Sequence, residues 1–283
     1  MIEELKEHKS LLIALLVALL IAAVGITMLQ KKSVEKNADG TPKKVEKNND
    51  GSKNIVAKGM LSIEPTSGRF IYEVGETVGM LVRGSSDGQD AVGFDAAVRV
   101  NQSLLVFSKA ESKLANFDTF HNANPDRVYV GGIRKLDSKT ASIFDSAELT
   151  ELTFKARKEG HARLDFIFKP GETTDSNIVL TSSKDGLGEV KGADIYVGKK
   201  VNLTTTSALI LPSTNIKVTL KALTTESAQL DIALGEKSEP KKFTWGSGTL
   251  SKNVETSSGF AFQVEKGNAN AVVVYYALEK TLN

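Results

Sequence analysis

The chain has 283 residues, with 36 Lys and Arg against 34 Asp and Glu, three His and no Cys. Without cysteine there are no disulfides, thiolate metal sites or cysteine nucleophiles, and any folded part must be held by packing. Residues 30–60 carry eight Lys against four acids, so the basic excess precedes Leu61 and the remainder is near −1; that balance excludes a folded region built to attract nucleic acid.

Residues 1–10 form a short polar tail, and Leu11 to Leu29 is an unbroken apolar run without charge. A helix of that length covers roughly 28 Å, enough to cross a bilayer. Ala23-Val24-Gly25 would suit a signal peptidase, but the run exceeds the usual apolar core of a cleaved leader. The sequence therefore predicts a transmembrane helix over 11–29, acting as a single-pass signal anchor. Lys6 and Lys9 precede the run while Lys31, Lys32, Lys36, Lys43 and Lys44 follow it. Lysine alone would hold the C-terminal part inside, but a long downstream domain translocates largely regardless of flanking charge. The expected location is the cell membrane, with the β-domains extracellular.

Residues 30–59 are rich in Lys, Asn, Asp, Gly and Ser. They lack the apolar surface needed to offset ordering entropy, which predicts a disordered linker. Its lysines read as a solvated, self-repelling tether.

From Leu61 the apolar signal alternates, and each run is bounded by Gly, Asp, Asn, Ser or Pro, the pattern of a β-sandwich. The predicted strands are 61–63, 77–83, 92–100, 104–109, 127–133, 148–156, 162–168, 178–180 and 190–197. Pro65-Thr66-Ser67-Gly68, Ser86-Asp87-Gly88 and Lys158-Glu159-Gly160 supply turn chemistry between them. Asn116 to Asp126 and Asp137 to Ser142 are less regular and read as loops or partial helix.

Within this stretch, Leu61-Ser62-Ile63-Glu64-Pro65-Thr66-Ser67-Gly68, Tyr72-Glu73-Val74-Gly75-Glu76-Thr77-Val78 and Val92-Gly93-Phe94-Asp95-Ala96-Ala97-Val98-Arg99-Val100-Asn101 resemble the opening of a cohesin domain. Later segments agree in order: Glu148 to Ala156 followed by Gly160-His161-Ala162-Arg163-Leu164, then Thr174 to Ile178, then Gly192-Ala193-Asp194-Ile195-Tyr196-Val197. The resemblance covers about 61–197. It implies a nine-stranded jelly-roll sandwich of the carbohydrate-binding-module-like superfamily, and a role in holding dockerin modules. One departure is Val100-Asn101, where the family has Tyr-Asp; an amide can still cap that turn, but the usual partner specificity does not carry over.

Residues 201–283 read as a smaller β-domain. A threonine-rich connector at Leu203 to Ser207 leads to strands at 216–223, 229–234, 242–245, 259–266 and 271–277, the last apolar on both faces and so a buried central strand.

Reactive chemistry is sparse. His8, His121 and His161 lie in unlike segments without metal-ligand spacing or a partner visible in the sequence, and read as surface or loop residues. Asp95, Asp165 and Glu151 could form a glycosidase pair, but no motif supports one. Asp87 and Asp90, like the loop from Asp137 to Asp145, place oxygen donors where calcium could bind, but without EF-hand spacing they read as solvated turns. Aromatic side chains that could meet a ligand are Trp245, beside Gly246-Ser247-Gly248, and Tyr129; each could equally edge a core.

The sequence thus predicts a mainly β protein: a cohesin-like sandwich over 60–200, a small β-domain over 201–283 and one N-terminal transmembrane helix. Its expected role is non-catalytic binding of a dockerin-type protein module or a surface glycan, with no cofactor. The alternatives are a structural component of a surface assembly and a glycoside hydrolase-associated protein.

Overall fold

The computed structural model describes residues 57–280 other than Gly171, Thr173, Ser213, Ser247 and Ala269. The predicted span at 11–29 and nearly all of the 30–59 linker lie outside the described residues. Among those described, no helix is long and apolar enough to cross a membrane.

In chain order the strands are β1 (Gly59–Pro65), β2 (Ile71–Glu73), β3 (Thr77–Ser85), β4 (Ala91–Arg99), β5 (Leu105–Ser112), β6 (Phe117–Asn124) and β7 (Arg127–Arg134). Next come β8 (Ala147–Ala156), β9 (Gly160–Phe166), β10 (Asn177–Leu180), β11 (Leu187–Lys191), β12 (Ala193–Thr204) and β13 (Ala208–Ile210). The last are β14 (Ile216–Leu223), β15 (Ser227–Leu234), β16 (Lys237–Thr244), β17 (Glu255–Ser257), β18 (Phe260–Lys266) and β19 (Ala271–Leu278).

They form three sheets. A five-stranded sheet runs β11-β1-β3-β8-β5, a ten-stranded sheet runs β17-β18-β19-β12-β9-β4-β7-β6 with β10 on β4 and β2 on β12, and a four-stranded sheet runs β13-β14-β15-β16. The five-stranded sheet and the β12-β9-β4-β7-β6 half of the long sheet enclose the first core, because alternate residues of each strand point inward. In β9, for example, Ala162, Leu164 and Phe166 are buried while His161, Arg163 and Asp165 face out. Phe94, Phe117 and Phe144 pack ring against ring at 5.7–6.4 Å between centroids within that core. The four-stranded sheet faces the other half of the long sheet around a second core that includes Leu203, Val218, Leu230, Phe243, Phe262 and Val274.

Strand β12 joins the two. Its first part pairs with β9 through Ala193–Val197, and Lys199–Thr204 pairs with β19. The predicted connector therefore begins inside a strand, and Leu203 is a core residue, because alternating Val201 and Leu203 continue the inward face. Strand β19 lies between β18 and β12 as the buried central strand that its composition predicts.

The sandwich differs from the nine predicted strands in three places. Asn116 to Asp126 is not loop or helix: β6 spans most of it in a hairpin with β7, and its alternation is masked because every residue but Phe117 and Thr119 is exposed. The short β2 pairs parallel with β12. The segment 190–197 is two strands, β11 pairing with β1 in one sheet and β12 with β9 in the other. They change sheets at Gly192, where an added Cβ would lie 2.4 Å from the Leu164 carbonyl oxygen. Asn101 caps its turn as expected, its side-chain oxygen accepting the Ser103 N–H at 2.9 Å.

Candidate functional site

The outward face of β6, β7, β4 and β9 can be read row by row from the strand register. Phe120 stands opposite Gly131, Gly131 opposite Asp95, and Asp95 opposite Asn177 on β10. On one side the row is Asp118, Ile133, Gly93 and Val179; on the other it is Asn122, Tyr129 and Ala97. Beyond that lie Asn124, Arg127, Arg99 and Asp165.

Two large apolar side chains stand out on this face, Phe120 at 61% and Ile133 at 60% exposed. Between and beside them the face is lined by glycine and alanine, so it is low and flat at its centre. Charge gathers at one end. Arg127 holds Asp126 at 2.8 Å, and Arg163 reaches both Asp165 (2.8 Å) and Asp194 (2.6 Å). Desolvation pushes the Asp95 carboxyl above its ordinary range, and a hydrogen bond from Asn177 partly offsets this.

Tyr129 belongs to this face: its hydroxyl accepts from Arg127 Nη1 at 3.0 Å, with the guanidinium 6.0 Å from the ring centroid. Trp245 lies elsewhere. It packs half-buried against the second core, and its indole N–H donates to the Thr224 carbonyl at 3.4 Å. The two aromatics predicted as ligand contacts thus sit on different modules.

Asp95, Asp165 and Glu151 do not come together around one cleft. Asp95 and Asp165 share the outward face, whereas Glu151 is on the five-stranded sheet, paired with Lys113 at 2.5 Å. Of the calcium candidates, Asp90 holds Arg134 at 2.6 Å and accepts the Ser142 N–H at 2.7 Å through the same oxygen. Asp87 is a turn residue at φ 51°. Among the described residues, no three His, Asp or Glu side chains gather to hold a metal ion.

His161 has partners that sequence reading did not supply. Pairing of β9 with β12 brings its Nε2 2.7 Å from Asp194 and stacks its ring on Tyr196, 4.7 Å away at 16°. His121 meets Phe107 edge-on at 5.5 Å.

A cleft of about 670 Å³ opens where the modules meet, with Arg69, Tyr72, Glu151, Glu265 and Tyr275 in its wall. Its polar groups are largely engaged with one another. Arg69 holds Glu76 at 2.6 Å with its guanidinium over Tyr72 and Tyr275, and the Tyr275 hydroxyl donates to Glu265 at 2.7 Å. Burial raises the pKa of both tyrosines.

No protein-family model matches the chain, and no curated protein matches it. Solved structures of cohesin domains match about half of it. The sixth cohesin of scaffoldin B from Acetivibrio cellulolyticus, solved with a Cel5 dockerin, is 13% identical, with 49% of this chain and 98% of that one covered at a TM-score of 0.40. A type II cohesin from the cellulosome of the same organism is 12% identical, covering 49% and 95% at 0.40. A cohesin module of a family 33 glycoside hydrolase from Clostridium perfringens is 8% identical, covering 49% and 94% at 0.39.

Proposed function

We propose that this chain is a non-catalytic docking protein whose sandwich module holds a partner of the dockerin type on the outward face of β6, β7 and β4. The observation that carries this reading is the pair of exposed apolar side chains, Phe120 and Ile133, flanking Gly131, with the ion pairs gathered at one end and the lone carboxylates Asp118 and Asp95 at the margins. An apolar centre with a charged rim is the composition of a protein interface. A sugar site would instead present an aromatic platform ringed by polar groups. The cohesin-like motifs of 61–197 give the partner class. Residues 11–29 fasten the protein to the membrane and the linker holds the β-domains outside the cell, so docking is confined to the surface and its encounter rate rises.

Calorimetric titration of the full chain against a panel of isolated dockerin modules, with a glycan array in parallel, tests this. Saturable binding to a module, weakened at least about tenfold by Ile133→Asp without loss of thermal stability, is the expected result. Capture by sugars alone, or module binding indifferent to both Ile133→Asp and Tyr129→Ala, overturns it.

A further inference from the structure

Strand β6 ends the long sheet, and its free edge is unusual for this protein. A sheet edge presents unpaired N–H and C=O groups, which proteins normally blunt with lysine, proline, bulges or brevity. The other long edges follow that rule. Strand β16 carries Lys237, Pro240, Lys241 and Lys242, and β5 carries Lys109 and a bulge between Phe107 and Lys109. The edges β13 and β17 are three residues each. Strand β6 has eight residues, unbroken register with β7 and one charge, Asp118.

The phase of the ladder shows which groups are free. One step beyond the Phe117–Arg134 pair that opens the β6–β7 register, the Asn116 carbonyl accepts the Lys135 N–H at 2.9 Å. Backbone groups alternate along an antiparallel strand, so the even-numbered residues of β6 turn theirs to β7. Those of Thr119, His121 and Ala123 turn outward.

We infer that β6 pairs antiparallel with β6 of a second copy about a two-fold axis through Phe120, joining the two long sheets. Keeping side chains on matching faces requires residue pairs of equal parity. With Phe120 opposite its twin, Thr119 faces His121 and their free backbone groups exchange hydrogen bonds. Asp118 then faces Asn122, so no like charges meet. Phe120 occupies a non-hydrogen-bonded position, where cross-strand side chains come closest and an aromatic pair contributes most. The interface is isologous and closes at two copies. It leaves Ile133, Gly131 and Tyr129 on the outward face of both copies open but shares Phe120 with the docking reading, so self-association is measured without any partner module and stands or falls apart from module binding.

The absence of native cysteine makes the test clean. In the full chain, Phe120→Cys brings two sulfurs to the axis, where Cα atoms in such a pair lie about 4.5 Å apart, within disulfide range. Oxidation should give a covalent dimer for Phe120→Cys and none for Lys242→Cys on the β16 edge. Sedimentation of the detergent-solubilised chain should show the association weakened at least about tenfold by His121→Pro, which removes an edge donor without touching the β7 ladder. Phe120→Lys, at an exposed site, should do the same through charge repulsion. Equal cross-linking at both cysteine positions, or self-association unchanged by both His121→Pro and Phe120→Lys, overturns the inference.

Discussion

The side-chain oxygen of Gln263 accepts the backbone N–H of Phe70 at 2.8 Å across 193 residues of sequence. Its amide nitrogen donates to the carbonyls of Gly68 at 3.0 Å and Ser251 at 3.2 Å, and the side chain is fully buried. Around it Ile71, Tyr196, Ala261, Tyr275 and Ala277 form a third, small core that belongs to neither module alone. The second module is therefore clasped to the first through a satisfied polar group set in apolar surroundings, and not hung from a flexible hinge. Such a group stabilises only while every partner is in place.

Gln263→Leu keeps the volume but leaves the Phe70 N–H and two carbonyls without their partner. The expected cost is about 1–3 kcal/mol, and because the loss falls on the junction, the modules should begin to melt separately. Differential scanning calorimetry reads both effects. A single transition at the wild-type temperature would show that the apolar contacts hold the junction unaided.

Gly198 marks the point where β12 passes from the first module to the second. A Cβ there would lie 2.1 Å from the Tyr276 carbonyl oxygen and 2.6 Å from the Ala277 Cβ. Backbone in the middle of a ladder cannot swing aside as a side-chain tip can. Gly198→Ala should cost at least about 1–3 kcal/mol, seen as a lower urea midpoint. An unchanged midpoint would mean that β12 and β19 separate there freely.

What could be read in advance followed the range of the forces involved. Alternation in β3, β8 and β9 is a local signal, as is the apolar run of β19, and these strands fall where the pattern puts them. Strand β6 escaped because an exposed edge strand keeps only a residue or two in the core, leaving Asp118, Asn122 and Asn124 to look like loop. The switch at Gly192 is set by how closely two chains cross, which a glycine hints at without specifying. Partners were hidden by distance along the chain: Arg134 lies 44 residues from Asp90, and His161 33 from Asp194. Tyr129 could be named as an aromatic able to meet a ligand, but its neighbours Phe120 and Ile133 join it only through strand register.

The pH dependence of Asp95 has a definite sign. Burial raises its carboxyl above the value it has when unfolded, so folding favours the protonated form. The stability this contributes is complete below the unfolded pKa and is lost as pH rises through the folded one. Asp95→Asn never ionises and should melt higher than wild type at neutral pH, with the advantage vanishing under acid conditions. The gain should stay below about 1 kcal/mol because the side chain remains largely solvent-facing. Thermal melts from pH 3 to 8 decide it, and a variant less stable at neutral pH contradicts the assignment.

Two adjacent glycines of β7 separate folding from docking. A Cβ on Gly132 would point into the core, 2.1 Å from Phe94 Cε1, whereas one on Gly131 would point outward, 2.8 Å from Asp95 Oδ1. The buried Phe94 ring has nowhere to go, while the Asp95 carboxylate can rotate toward solvent. Gly132→Ala should therefore destabilise by about 1–3 kcal/mol and leave the outward surface unaltered. Gly131→Ala should cost far less stability, yet it raises the floor of the flat strip between Phe120 and Asp95 and so weakens partner binding. Chemical denaturation and calorimetric titration of the pair give a crossed pattern if the strip is the docking surface. Equal losses of stability, or binding untouched by Gly131→Ala, would separate the strip from the site.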